Sequence, residues 1–205
     1  MVTVLPANRP QVDEYVGETC DYKTGKCTPD PKHPNAPLRK WGGLTTVSRT
    51  DIFLNFKIKT DEAGQNPYIG SGKLDGNGIP PDFFNDIHVR KAFNYCMDYD
   101  TYINDALNGE GVRNNGPIIL DMLGYNPKGE MYPFDLKKCE EELKLAWGGK
   151  LPTTGFRFQV AFNTGNVTRQ TVAAILQTNL GKVNAKYQIE IIGLPWPTFL
   201  RPTRR

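Results

Sequence analysis

Residues 156–194 read FRFQVAFNTGNVTRQTVAAILQTNLGKVNAKYQIEIIGL, and their hydrophobic period changes twice. Apolar side chains alternate with polar or small ones over residues 156–162, which is typical of a half-buried strand. They recur at helical spacing over residues 172–183 and alternate again over residues 187–191. A strand, a helix and a strand at this spacing form a βαβ unit. We therefore predict an α/β fold with flanking helices and a mixed sheet in which these two strands are parallel.

The carboxyl ends of the two predicted strands are the candidate binding site. In open α/β sheets, ligands collect at this edge. The first strand ends in Asn163, Thr164 and Gly165, where the start of a helix can receive a polar or anionic group. The second strand is followed by Trp196, and an exposed indole suits stacking on a sugar face or a peptide side chain. We predict that these four residues bind a ligand; the alternative is an ordinary turn beside a tryptophan that packs in the core.

Three further helices are predicted from their caps and apolar stripes. Asp86, Asp100 and Asp135 each precede a run of apolar residues at helical spacing, and an aspartate at that position can cap the first turn. Cys96 and Cys139 lie on the stripes of the first and third of these helices, where we expect each to be a small buried hydrophobic side chain. The stripe of the first helix consists of Val89, Ala92, Phe93, Cys96 and Met97.

The N-terminal part of the chain carries a second pair of cysteines. Cys20 and Cys27 flank a polar hexapeptide that can close a hairpin. They predict either a disulfide, which implies an oxidising compartment, or two exposed thiols in a cytosolic loop. Their spacing also suggests a zinc site. Because no second cysteine pair and no histidine cluster accompanies them, we predict no metal site. Apolar runs predict strands at residues 2–5, 44–47 and 52–58.

The charge of the chain argues against a nucleic-acid partner. Twenty-five Lys and Arg stand against 22 Asp and Glu, and the two signs are interspersed. The only basic cluster is Arg201, Arg204 and Arg205, which is far from the concentrated basic face of a nucleic-acid-binding protein. No stretch reaches the roughly 18 apolar residues of a membrane span, and no secretory signal is recognisable. From the way the chain opens and stops, we expect it to be an excised part of a longer protein.

Motifs for catalysis or cofactor binding are weak in this sequence. His33 and His88 are the two histidines, and neither stands in a hydrolase motif such as G-x-S-x-G or H-E-x-x-H. The glycine-rich residues 68–81 suggest a phosphate or calcium loop, but their spacing fits neither, and turn chemistry accounts for the glycines. We predict a protein that is not an enzyme and that needs no cofactor.

Short motifs follow one another across residues 52–205 in a recognisable order. The order resembles that of the family 5 extracellular solute-binding proteins of ABC importers, the oligopeptide-, dipeptide- and nickel-binding type. Cys139 stands where the family has alanine, and Pro195 stands where it has an acidic residue. The motifs are V-R-K-A at 89–92, an aspartate-led helix at 98–103, Gly124-Tyr125, D-x-x-K-x-x-x-x-L at 135–143, F-N-T at 162–164 and P-W-P-T-F-L at 195–200.

The resemblance implies one lobe of a two-lobed, periplasmic-binding-protein-like fold. Residues 1–55 would be the tail of the near lobe with a hinge strand and the cysteine loop, and residues 56–205 a truncated far lobe that binds ligand. The whole protein would capture an extracellular peptide or oligosaccharide, deliver it to a permease, and stay outside the cytoplasm on a membrane anchor that lies outside this chain. Trp196 would match a tryptophan of the pocket wall in peptide-binding relatives, and export would favour a disulfide between Cys20 and Cys27.

Two other classes of function stay open beside this one. The chain could be a protein–protein interaction module without a small ligand, which a pull-down from membrane extracts would reveal. It could also be a hydrolytic domain, which would require an activity that a single carboxylate substitution abolishes. The family's acidic ligand anchor, in a D-Y-x-x-P segment, lies downstream of the part matched here, so the sequence does not identify the solute.

Overall fold

The computed structural model describes residue 4, residues 6–44 and residues 49–200. The chain divides into two compact units, one formed by residues 1–50 and 116–127 and the other by residues 51–115 and 128–205. The predicted strands at 2–5 and 44–47 rest mainly on residues outside the described ranges, and so does the basic cluster Arg201, Arg204 and Arg205. Within the described ranges, no helix combines the length and the apolar character that crossing a bilayer requires.

The first unit contains a small mixed sheet that the hydrophobic pattern did not predict. Its strand order is β2-β1-β3, with β1 antiparallel to β2 and parallel to β3. Strands β2 and β3 are short and largely exposed, and β1 buries only Val16, Gly17 and Cys20, so no alternation of apolar residues marks the three strands. A Cβ atom on Gly17 would lie 2.2 Å from the carbonyl oxygen of Ala36, so only glycine fits there. The elements are the 3-10 helices Pro6–Gln11 and Asp13–Tyr15 and the strands β1 (Val16–Asp21), β2 (Cys27–Pro29) and β3 (Leu38–Gly42).

The hairpin between β1 and β2 carries a disulfide. Cys20 and Cys27 face each other in the strand register, and a bond joins their sulfur atoms. In the turn, the Asp21 carboxylate accepts hydrogen bonds from the backbone N–H and the hydroxyl of Thr24, and these bonds lower its pKa. Because both sulfur atoms are consumed by the bond, neither is a thiolate for a metal, although the Glu18 carboxylate lies beside them.

The second unit holds the large hydrophobic core. Its centre is a group of phenylalanine rings in edge-on and tilted contact, from strand β4, helix α1 and the turn before that helix. The elements are the 3-10 helices Pro67–Ile69 and Phe83–Asn85, the α-helices α1 (Ile87–Cys96), α2 (Tyr99–Thr101, continued as a π-helix over Tyr102–Ala106), α3 (Leu136–Gly149), α4 (Leu151–Thr154), α5 (Val167–Val183) and α6 (Trp196–Leu200), and the strands β4 (Phe156–Asn163) and β5 (Tyr187–Leu194).

The predicted βαβ unit is confirmed. Strands β4 and β5 are parallel and in unbroken register, from Phe156 opposite Tyr187 to Asn163 opposite Leu194. Helix α5 connects them and buries Leu176 and Leu180 in the core. The carboxyl ends of both strands therefore lie at one edge, as the sequence predicts for parallel neighbours.

Helices α1 and α3 follow the predicted stripes but hold their cysteines differently from the prediction. All five stripe residues of α1 are buried, and the side chains of Asp86 and Asp135 cap α1 and α3. Cys96 and Cys139, predicted as separate hydrophobic side chains, form a disulfide. The prediction was wrong because the stripes of α1 and α3 pack against each other and bring the two Cα atoms to 5.5 Å.

Two smaller predictions in this unit were also wrong. The cap of the second helix is Asp98, whose side chain accepts a hydrogen bond from the Thr101 N–H, and not Asp100, which lies within the first turn. Residues 52–58 form no strand. Their alternation would place Ile52 and Phe56 on one buried face with Leu54 and Ile58, but Ile52 and Phe56 are exposed. Among the described residues, no strand pairs with this segment. An alternating pattern forms a stable strand only where a neighbouring strand is available to pair with it.

The glycine-rich residues 68–81 form a turn whose polar groups bond to one another. A bridge pairs Gly70 with Gly78. Asp75 accepts hydrogen bonds from the backbone N–H of Asn77 and the hydroxyl of Ser71, at 2.9 and 2.8 Å. The Asn77 and Ser71 donors lower the pKa of Asp75. The turn chemistry expected from the sequence thus accounts for these residues.

Candidate functional site

The structure places Asn163, Thr164 and Gly165 at the end of β4, directly before helix α5. Asn163 is partly buried, whereas Thr164 and Gly165 are exposed. The Thr164 N–H donates to the carbonyl oxygen of Leu194 at 2.8 Å and so extends the pairing of β4 and β5. This backbone group is therefore occupied within the fold, and the exposed polar groups of the turn include the Thr164 hydroxyl.

The first turn of α5 is fixed by Asn166. The Asn166 side-chain oxygen accepts hydrogen bonds from the Arg169 N–H at 3.0 Å and from the Thr168 hydroxyl at 2.8 Å. Thr168 also shares a hydrogen bond with the Tyr102 hydroxyl. Burial raises the pKa of Tyr102, and the Thr168 bond partly offsets that rise. The helix start beside the turn is thus rigidly held by short-range polar contacts.

Trp196 lies at the start of helix α6, after the end of β5. Its side chain is 51% exposed within this chain. Its indole stacks on the ring of Phe199, with 5.8 Å between ring centroids and 20° between planes. The pair forms a partly exposed aromatic surface close to the sheet edge.

Arg169 connects the turn to the aromatic pair, and the sequence analysis did not identify it. Its Nη1 atom donates to the Asn163 side-chain oxygen at 2.9 Å. Its guanidinium carbon lies 5.7 Å from the centroid of the Phe199 ring, within the range of a cation–π contact. One signal could have found it, because a cation in the first turn of a helix opposes the helix dipole.

The residues predicted as a ligand site therefore come together in space. Asn163 contacts Arg169, Arg169 lies over Phe199, and Phe199 stacks on Trp196. The group combines an amide, a hydroxyl, a cation and two aromatic rings, a combination suited to polar recognition and stacking. Lower on the same strands, Glu190 accepts hydrogen bonds from Gln159 and Arg157, which lower its pKa.

Comparison with known proteins assigns the family. Residues 44–204 match the sequence model of the family described as "Bacterial extracellular solute-binding proteins, family 5 Middle". The chain belongs to this family. Oligopeptide-binding protein AppA of Bacillus subtilis (strain 168) is 25% identical over 158 residues, which cover 72% of this chain and 28% of AppA. The family is one of solute-binding proteins and not of enzymes.

Solved structures agree with the family 5 assignment. The periplasmic binding protein DppA from Helicobacter pylori, associated with an ABC transporter and solved with the peptide STSA, is 29% identical with a TM-score of 0.50, over 59% of this chain and 22% of DppA. HbpA2 from Haemophilus parasuis shares the fold, with a TM-score of 0.52 and 22% identity over 67% of this chain and 25% of HbpA2. The chain thus spans about a quarter of the length of these relatives and has the fold of one lobe of a periplasmic binding protein.

Proposed function

We propose that this chain is part of the substrate-binding component of an ABC importer, which captures an extracellular solute between two lobes and delivers it to the permease. The observation that carries the proposal is the gathering of Asn163, Thr164, Gly165 and Trp196 at the carboxyl edge of β4 and β5. In α/β sheets that edge is where ligands bind. We assign these four residues to the ligand-contacting surface of the far lobe.

The lobe assignment is part of the same proposal. Residues 1–55 are the tail of the near lobe with the hinge, and residues 56–205 belong to the ligand-binding lobe. A compact unit that begins at residue 51 and contains β4, β5 and their helices supports this boundary, while residues 116–127 group with the other unit. The cysteine loop of residues 20–27 belongs to the near-lobe side.

A peptide is the solute class we favour over an oligosaccharide. AppA is named as an oligopeptide-binding protein, and the Helicobacter pylori structure holds the peptide STSA. A stacked indole and a hydrogen-bonding turn suit the side chains and backbone of a peptide, although they also suit a sugar face.

The family and the cysteines support the location that we propose. The family is extracellular, and we infer an extracellular or periplasmic protein held at the membrane by an anchor outside this chain. Two disulfides within the described residues support an oxidising compartment. Beside the solute, the partner is the permease of the importer, and we propose no nucleic-acid partner and no cofactor.

Identification of the bound solute tests the proposed function. The full-length protein that carries this chain is purified after export, heated to release bound molecules, and the released solute is identified by mass spectrometry. We expect a peptide, and re-addition of that peptide should raise the melting temperature by mass action. If neither peptides nor oligosaccharides raise the melting temperature, the proposed function is wrong.

A further inference from the structure

The Cys96–Cys139 disulfide lies inside the hydrophobic core of the second unit. Both cysteines are 0% exposed. The same buried cluster contains Phe93, Met97 and Leu143. Thiol–disulfide exchange requires a thiolate to reach one of the two bonded sulfur atoms, so its rate depends on access. A thiol in solution therefore cannot reach this bond while the unit stays folded.

Hydrogen bonds hold the elements around the bond together. The side-chain amide of Asn179, a buried residue of α5, donates to the carbonyl oxygen of Cys96 at 2.9 Å. The backbone N–H of Asp135, the residue before α3, donates to the carbonyl oxygen of Tyr95 at 2.9 Å. Exposure of the sulfur atoms thus requires α1 to separate from α3 and α5. Such a separation is an opening of the core, which costs far more free energy than a loop movement.

The Cys20–Cys27 disulfide provides an internal contrast. Cys20 is 0% exposed, but Cys27 is partly exposed. Cys27 begins β2, a strand of three residues at one edge of the small sheet. A thiol can therefore attack the Cys27 sulfur after a local opening of this strand. The chain combines an accessible disulfide with an enclosed one.

We propose that the Cys96–Cys139 bond forms on the unfolded chain, by reaction with a disulfide donor, and that packing of α1 against α3 then encloses it. Burial excludes a disulfide donor from the two thiols as it excludes a thiol from the bond, because both reactions pass through a mixed disulfide. The core has no solvent-exposed position at either cysteine for such an intermediate. This order of events does not depend on the identity of the solute.

The bond forms in two successive exchanges with the donor. The thiolate of one cysteine attacks the donor disulfide, which forms a mixed disulfide and releases one donor thiolate. The thiolate of the other cysteine then attacks the cysteine sulfur of the mixed disulfide, closes the Cys96–Cys139 bond and releases the second donor thiolate. Two electrons and the two thiol protons pass to the donor, which leaves in its reduced form.

Reduction of the native full-length protein tests the enclosure. The protein is incubated with dithiothreitol, samples are alkylated at intervals, and each cysteine pair is followed by peptide mass spectrometry. Cys20–Cys27 should be reduced at least about tenfold faster than Cys96–Cys139, because only the first is accessible without opening the core. In urea that unfolds the protein, the two rates should become comparable. Equal rates in the native protein overturn the proposal.

The order in which the donor is added tests the timing. Reduced full-length protein in urea receives oxidised glutathione either before or after dilution into refolding buffer. Addition before dilution should give both bonds. After refolding, Cys20–Cys27 should form at least about tenfold faster than Cys96–Cys139. A reduced chain that refolds only once the donor is present also places the bond before packing. Equal rates of formation in a refolded chain with native circular dichroism overturn the proposal.

Two variants of α3 show whether packing controls access. Leu143 follows Cys139 by one turn on the buried stripe, whereas Lys137 is exposed. Leu143→Ala leaves a cavity in the core and should raise the native-state reduction rate of Cys96–Cys139 at least about threefold, with that of Cys20–Cys27 unchanged. Lys137→Ala is the matched control and should change neither rate. An equal effect of the two variants on Cys96–Cys139 contradicts the proposal.

Discussion

Trp147 and Trp196 show how surroundings decide the role of one residue type. Trp147 stacks on Phe83 with 6.1 Å between centroids, and its indole N–H donates to the Phe83 carbonyl oxygen at 3.3 Å. Within the part of the chain that the structure describes, the one aromatic ring that stacks on Trp196 is that of Phe199, and half of the Trp196 side chain is exposed. The first indole packs against the core, whereas half of the second side chain is exposed to solvent.

Substitution of these two tryptophans separates binding from stability. In the full-length protein, Trp196→Ala should weaken binding of the transported solute by more than about tenfold, because a stacking anchor is lost. Its melting temperature should change little, since the side chain is half exposed. Trp147→Ala is the control and should lower the free energy of unfolding by about 3 kcal/mol. A large fall in melting temperature with unaltered affinity in Trp196→Ala would contradict the binding role.

At the scale of elements, helices α1 and α3 are fastened to each other at both ends of their contact. The Cys96–Cys139 disulfide joins the end of α1 to the start of α3. At the opposite end, one carboxylate oxygen of Asp86 caps α1. The other accepts a hydrogen bond from the backbone N–H of Trp147 at 2.6 Å. The Asn179 side chain of α5 adds a hydrogen bond to the Cys96 carbonyl oxygen at 2.9 Å. This fastening holds the layer on which β4 and α5 pack.

The two disulfides should differ in their contribution to stability. Cys96–Cys139 closes a loop between residues 43 apart, and Cys20–Cys27 one between residues 7 apart. In the chain-entropy model, removal by paired alanine substitutions costs about 4 kcal/mol for the first and about 2–3 kcal/mol for the second. Urea unfolding of the two double variants measures the difference.

Intact-mass analysis is the independent check on both bonds. Alkylation of the exported protein without reductant should modify none of the four cysteines, and alkylation after denaturation and reduction should modify all four. Modification of Cys96 and Cys139 in the unreduced protein would show that the α1–α3 bond does not form.

Asp86 and Asp135 both cap a helix, but the Asp86 side chain also bonds to the backbone of another helix. Asp135→Ala removes one cap bond, to the Lys138 N–H, and should cost about 1 kcal/mol. Asp86→Ala removes a cap bond and also leaves the backbone N–H of Trp147 without its acceptor. The free energy of unfolding should therefore fall by about 2–4 kcal/mol. Chemical denaturation of the two variants measures both losses of stability. Equal values would show that the hydrogen bond between Asp86 and Trp147 does not stabilise the fold.

On the scale of the whole molecule, we expect the proposed binding to need residues outside this chain. The proposed site is an open surface at the edge of a two-stranded sheet. Solute-binding sites between lobes draw affinity from burying the ligand on both sides. The chain covers 28% of the length of AppA, so most of a protein of that size lies outside it.

The 205-residue chain should therefore fold yet bind poorly. We expect its affinity for the transported solute to be at least about tenfold lower than that of the full-length protein, because the proposed second wall of the cleft lies outside this chain. Calorimetric titration of both proteins under identical conditions measures the ratio. A sub-micromolar dissociation constant for the 205-residue chain alone would contradict this expectation.

The order of family motifs and the local patterns were sufficient for much of the fold. Strands β4 and β5, the caps at Asp86 and Asp135 and the stripe of α1 were correctly predicted. Each rests on interactions between residues within about one turn or two strand positions of one another, which the sequence displays directly. The grouping of Asn163 with Trp196 also followed, since parallel strands end at one edge.

What only the tertiary structure decided depends on partners distant in the chain. Cys96 and Cys139 pair because α1 and α3 pack against each other, and no spacing rule connects residues 43 apart. Residues 52–58 carry the alternation of a strand but lack a neighbouring strand among the described residues, whereas β1 lacks the alternation and has two neighbours. Arg169 is recognised as part of the candidate site only because the fold brings it into contact with Asn163 and Phe199. Sequence displays local periodicity and capping, but a pairing exists only where the folded chain brings both partners together.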